Sequence, residues 1–305
     1  MIDIFIPSYH RPNNIKTAKY FIDKIGYDPK KIHVVIDDDT DDIEDYKKEV
    51  ERLECKLHIF NMQESIETYD YVHRASKLRR STGQCCNMFF DIAKENNIDF
   101  FIHIDDDTRQ YEIKPFAIYM RGAILEDFEL VFEGVKEFMQ RQKIGVFALS
   151  QTGDMFSVPD KKMFRKKVMN TTFYNTNFIH KGRKGVLDND TCEFAGLMNE
   201  GYFTGSVATG LALNPTSSAT QKGGLTPTYN ESKLLSKALV VPIQYPSLCH
   251  AERQKKNGNR LHHRIKYKHL FPCIIKGKRS NIAWDSYPED VPFTNEPKRK
   301  INEQK

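Results

Sequence analysis

Two short apolar runs in this chain each end in three consecutive aspartates, and that pairing constrains the fold more than any other feature. Ile32-His33-Val34-Val35-Ile36 runs into Asp37-Asp38-Asp39, and Phe100-Phe101-Ile102-His103-Ile104 runs into Asp105-Asp106-Asp107. Runs this short that are apolar almost throughout read as strands covered on both faces. The surrounding pattern agrees. Asp3–Pro7 reads as a first strand, and Asn14–Ile25 as a helix with Ile15, Ala18, Phe21, Ile22 and Ile25 at helical spacing. A polar helix over 42–53, a strand over Lys56–Phe60 and a helix over Gly83–Asn96 complete a βαβ alternation. In open α/β sheets, ligands bind at the carboxyl ends of the strands. Both aspartate triplets are therefore expected on one rim.

Beyond residue 110 the pattern loosens. Residues 126–142 read as an amphipathic helix and 145–149 as a strand, whereas 151–185 is polar, with turn signals throughout. Residues 190–200 can form a short helix stopped by Gly201, 214–233 reads as a long loop, and 238–243 as a strand. We expect one domain over 1–285 and a polar, disordered tail over 286–305. Within it, residues 1–110 form one half and 111–285 the other.

At 305 residues the chain is long enough for one large core, and no apolar run approaches the roughly 20 residues that span a bilayer. The opening Ile2-Asp3-Ile4-Phe5-Ile6 reads as a strand and not as a leader, so a cytoplasmic protein is expected, with no membrane and no obligate protein partner. Six cysteines without a CxxC pair or zinc-ribbon spacing read as reduced thiols.

Three adjacent carboxylates repel one another, and a divalent cation is their natural counter-charge. Oxygen donors suit Mg²⁺ or Mn²⁺, which substrate phosphates commonly complete. An acidic run after a strand is otherwise a solvated turn. Here it closes a buried strand beside a second acidic rim.

The opening Ile4-Phe5-Ile6-Pro7-Ser8-Tyr9 with Arg11-Pro12, followed by Asp105-x-Asp107 after an apolar strand, resembles the GT-A glycosyltransferases. Arg79, Arg80, Gly83 and Asn87 resemble the helix start that such enzymes place before that strand. The resemblance implies a GT-A-like, Rossmann-type mixed sheet flanked by helices, with an elaborated C-terminal acceptor half. It implies Mn²⁺ or Mg²⁺ on Asp105 and Asp107, a UDP-sugar donor, and nucleotide contacts from Pro7, Ser8, Tyr9 and Arg11. Asp37 or Asp38 would accept from the base N–H. Arg79 and Arg80 would lie near the diphosphate or sugar, and Asp106 beside the donor. Leu187-Asp188-Asn189-Asp190-Thr191-Cys192-Glu193 resembles the xED segment, whose carboxylate is general base in an inverting transfer, although Asn189 stands where Glu is usual. Counting back from Gly201 favours Asp190, with Asp188 the alternative. His250 would be a further metal ligand, with His262 and His263 as rivals.

The formal net charge of +5 is unevenly spread. Between Arg253 and Arg279 the chain carries Arg253, Lys255, Lys256, Arg260, Arg264, Lys266 and Lys268, among other cations, with no acidic residue. That exceeds what one diphosphate needs and points to a polyanion. With these segments the chain resembles the TET/JBP-associated glycosyltransferases and the DNA-modifying sugar transferases of T-even-like bacteriophages. That resemblance implies modified duplex DNA as acceptor: glucose or arabinose moved onto a 5-hydroxymethylated pyrimidine. The alternatives are a GT-A enzyme acting on a glycan and a non-catalytic nucleic-acid-binding module.

Overall fold

The computed structural model describes residues 1–68, 82–114, 123–124, 127–151, 171–179, 193, 197 and 204–213. Its centre is the parallel unit read from the sequence. Strands β1 (Asp3–Pro7), β2 (Ile32–Asp37), β3 (Lys56–Phe60) and β4 (Phe100–His103) lie side by side in the order β3-β2-β1-β4, all parallel. Helix α1 (Lys16–Tyr20) follows β1, and α2 (Ile43–Arg52) follows β2. Helices α3 (Met62–Thr68) and α4 (Thr82–Glu95) lie between β3 and β4.

The alternation of side chains along each strand divides the core in two. Ile4, Ile6, Val34, Ile36 and Ile102 share one cluster with Ala18 of α1, Tyr46 and Val50 of α2, and Phe128, Phe132 and Met139 of α5 (Phe128–Gln142). Phe5, Val35 and Phe101 share the other with Cys85, Cys86, Phe89 and Ile92 of α4. Covered on both faces, these strands have no polar side to show, which is why they read as almost unbroken apolar runs.

The sheet continues past residue 110. In the described residues it has nine strands in the order β3-β2-β1-β4-β8-β7-β9-β5-β6. The added strands are β5 (Tyr111–Lys114), β6 (Ala123–Ile124), β7 (Val146–Gln151), β8 (Thr172–Asn175) and β9 (Thr204–Leu213). Strand β8 runs antiparallel between β4 and β7. It corrects the expectation of turns throughout 151–185. Thr172, Phe173, Tyr174 and Asn175 are all buried, and their β-branched and aromatic side chains suit a central strand.

The expected helix over Asn14–Ile25 is also revised. A 3₁₀ turn at Pro12–Asn14, α1 and a π-turn at Phe21–Ile25 divide it, and Gly26, at φ 71°, ends it. The predicted loop 214–233 and strand 238–243 lie outside the described residues, as does the tail.

Candidate active site

Strands β2 and β4 flank β1 and run parallel to it, so their carboxyl ends share one rim. The chain leaving β1 reaches across that rim to the second triplet. Ser8 Oγ donates to Asp106 Oδ2 at 2.8 Å, and Arg11 Nη1 donates to Asp106 Oδ1 at 2.7 Å. Tyr46 of α2 supports both residues: its hydroxyl lies 2.8 Å from Ser8 Oγ and accepts from the Arg11 backbone N–H at 2.9 Å. Because that oxygen accepts from Arg11, its own proton is available to Ser8, whose proton goes to Asp106. A one-way relay results. His10, at φ 53°, takes the left-handed turn that follows Tyr9, and the two rings pack 4.0 Å apart.

The second triplet is thereby divided by role. Asp106 is an interior group, forming an ion pair in which its side chain and that of Arg11 are only 7% and 8% exposed. Burial raises its pKa, a rise that Arg11 and Ser8 counter. Asp105 has 41% of its side chain exposed, and one carboxylate oxygen lies 3.3 Å from His103 Nε2. Asp107 is buried, and burial together with Asp105 and Asp106 pushes its carboxyl up to about 7. Arg11 and Lys16 pull it the other way, but less.

The turn itself is fixed from α1. Thr17 Oγ1 donates to the Asp105 carbonyl and accepts from Thr108 N–H at 3.0 Å, while Thr17 N–H donates to the Asp106 carbonyl at 3.2 Å.

The first triplet is also divided. Asp38 uses both carboxylate oxygens at the start of α3, accepting from Asn61 Nδ2 at 2.7 Å and from Met62 N–H at 2.9 Å. Asp37 is buried at the end of β2 and accepts from the Asp39 N–H at 3.1 Å. Pro7 ends β1 and Tyr9 is half-buried on the rim. Gly83 and Asn87 are buried on α4.

Three residues at this turn carry no sequence signal of their own. Thr17 and Tyr46 are ordinary helix residues, and His103 is one more position in an apolar run. Glu193 was read only as part of the acceptor segment. It is buried and accepts from Tyr174 OH at 2.8 Å, and both it and Leu197 are helical, as the reading of 190–200 expected. Asp188, Asp190, Arg79, Arg80 and His250 lie outside the described residues. So do Arg253, Lys255, Lys256, Arg260, Arg264, Lys266 and Lys268.

Among the described residues no set of three or more His, Cys, Asp or Glu is grouped to hold a metal ion by itself, so a cation here would rest on two aspartates and a ligand. Arg11 is committed to Asp106, yet Asp105 and Asp107 add two more carboxyls to the same turn, and burial first and the neighbouring carboxylates second raise Asp107. A cation held by Asp105 and Asp107 would relieve that crowding with the oxygen donors that Mg²⁺ and Mn²⁺ prefer.

No protein-family model matches the chain, and no curated protein matches it. Solved structures do show similarity. A mannosyltransferase from Pyrobaculum calidifontis, in complex with GDP-Man and Mn²⁺, is 11% identical with a TM-score of 0.48, over 80% of this chain and 64% of that one. This chain thus spans less than two thirds of that protein's length. Glucosyl-3-phosphoglycerate synthase from Mycobacterium tuberculosis, in complex with Mn²⁺, UDP and phosphoglyceric acid, is 11% identical with a TM-score of 0.43, over 85% and 79%. A cytidylyltransferase from Leptospira borgpetersenii is 12% identical with a TM-score of 0.32, over 58% and 60%. Scores this low transfer no residue's role. Among the described residues, no helix is long and apolar enough to cross a membrane.

Proposed function

We propose that this chain is a metal-dependent glycosyltransferase that takes its sugar from a nucleotide-sugar at the rim formed by β1, β2 and β4. The observation that carries this reading is the turn after β4. One aspartate is neutralised inside the protein by Arg11, and two more flank it, one half-exposed and one buried with its carboxyl raised. Asp105 and Asp107 would hold Mn²⁺ or Mg²⁺, which when bound neutralises charge developing on a departing diphosphate. The chain's own residues do the rest. Ser8, Tyr46 and Arg11 fix Asp106 and with it the turn, Thr17 locks the turn's backbone, and Asp37 or Asp38 at the neighbouring strand end would accept from the base.

In finer detail, we read the donor as a UDP-sugar and the acceptor as the hydroxyl of a 5-hydroxymethylated pyrimidine in duplex DNA. The acid-free run from Arg253 to Arg279 supports the DNA acceptor, because it offers far more positive charge than a diphosphate needs. Asp190, or Asp188, would take the acceptor proton in an inverting transfer.

The test is to incubate the protein with Mn²⁺, a panel of UDP-sugars, and duplex DNA containing hydroxymethylated or unmodified pyrimidine. Digestion and mass spectrometry would follow. A mass gain of one sugar on the hydroxymethylated nucleoside alone is expected. Mn²⁺-dependent UDP release with no DNA product would shift the acceptor to a glycan. No release with any donor would remove the enzymatic reading.

A further inference from the structure

His103 is two residues upstream of the acidic turn, on a strand whose other residues are all hydrophobic, and the reading above gives it no task. Its side chain is 1% exposed. The ring is walled in by Phe89 of α4, with ring centroids 5.4 Å apart at 56°, and by Cys86, whose Sγ lies 3.7 Å from Nε2 and 4.0 Å from Nδ1. The ring therefore has little room to turn, and in the orientation it holds, Nε2 lies 3.3 Å from Asp105 Oδ1.

Asp105 has the opposite character: 41% of its side chain is exposed. An exposed aspartate ordinarily samples several rotamers, and ordering it on a cation costs entropy. Here the buried imidazole sets a ring nitrogen 3.3 Å from one oxygen, and the exposed carboxylate can still meet a ligand from the solvent side. Acids that bind metal commonly have such outer partners, and their loss typically weakens metal binding by about 10- to 100-fold.

We infer that His103 is a positioning residue, which holds the Asp105 carboxylate in the orientation that receives the divalent cation. This rests on the proposal that Asp105 and Asp107 bind Mn²⁺ or Mg²⁺. A space-filling role for His103 would leave metal affinity unchanged in any variant that still folds.

The experiment titrates Mn²⁺ against the full chain with UDP present, following free Mn²⁺ by electron paramagnetic resonance. Wild type is compared with His103→Ala, His103→Gln, Asp105→Asn and Asp107→Asn, with folding checked by thermal unfolding. His103→Ala is expected to weaken Mn²⁺ binding by about 10- to 100-fold. His103→Gln, whose amide can still donate, is expected to recover most of that loss. Should His103→Ala fail to fold, His103→Gln and His103→Leu provide the same contrast between a donor and an apolar side chain. Turnover offers a second readout: saturating Mn²⁺ should restore kcat in a positioning variant but not in one with a damaged core. Unchanged Mn²⁺ affinity in a folded His103→Ala or His103→Leu, while Asp105→Asn and Asp107→Asn lose binding, would overturn the role of His103 and leave the metal site standing. Unchanged affinity in both aspartate variants, or no binding by wild type, would overturn the metal site and this inference with it.

Discussion

Asp105, Asp106 and Asp107 read as equivalent in the sequence, and the structure makes them three different groups. The distinction comes mainly from partners far away in the chain, Ser8, Arg11, Thr17 and Tyr46 for the turn, with His103, two residues upstream, beside Asp105. None of those pairings has a local signature, because each depends on how strands and helices pack. That an apolar strand ends in three aspartates was legible. Which member faces inward was not. Ser8 and Arg11, read as nucleotide contacts, are also internal supports of Asp106. Arg11→Ala would leave a buried carboxylate without its counter-ion, at a cost of roughly 3–5 kcal/mol. Urea unfolding should show that loss with no nucleotide present. A change under about 1 kcal/mol would mean that the ion pair contributes little to the fold.

At the scale of elements, the parallel unit was legible because apolar runs and amphipathic helices obey fixed periods. Strand β8 was not, since four residues within a polar segment give no periodicity to count. A second buried network links three strands at the end away from the acidic rim. Lys31 Nζ lies 3.1 Å from Asp3 Oδ2, Asp3 Oδ1 lies 2.9 Å from His33 Nε2, and His33 Nδ1 lies 2.9 Å from His58 Nε2. With Asp3 ionised and both imidazoles neutral, His33 donates to Asp3 from Nε2 and accepts from His58 at Nδ1. Burial lowers the pKa of His33, and burial with His33 and Lys56 nearby lowers His58 to about 4. The unfolded chain therefore takes up a proton at His58 near pH 6.5, before the folded chain does. Stability from this group is complete above that value and declines as pH falls toward about 4. Asp107, raised to about 7, acts in the opposite sense over much of the same range, so the total curve mixes the two. Comparing wild type with His58→Gln isolates the histidine. The wild type should lose on the order of 1–2 kcal/mol more between pH 7 and pH 4.5, an amount discounted because His58 is partly exposed. Parallel pH profiles for the two proteins would contradict it.

For the whole molecule, positive charge is concentrated late in the chain and the acidic rim is built early. If the run from Arg253 to Arg279 grips duplex DNA, affinity should fall with salt at a log–log slope of about −0.9 per phosphate contact. Arg260→Ala with Arg264→Ala should flatten that slope by up to roughly two contacts' worth and weaken binding across sequences alike. Anisotropy titrations across salt would show it. Binding indifferent to salt, or to both changes, would favour a glycan acceptor. The central claim is narrower than the acceptor's identity: the turn after β4 performs metal-dependent chemistry on a nucleotide-sugar. Release of UDP from a UDP-sugar, followed with Mn²⁺ and then with excess chelator, tests it most directly when wild type is compared with Asp107→Ala. The account predicts release that needs Mn²⁺ and falls by about 100-fold or more in a folded Asp107→Ala. Equal release by both proteins, or release that persists in chelator, would contradict it.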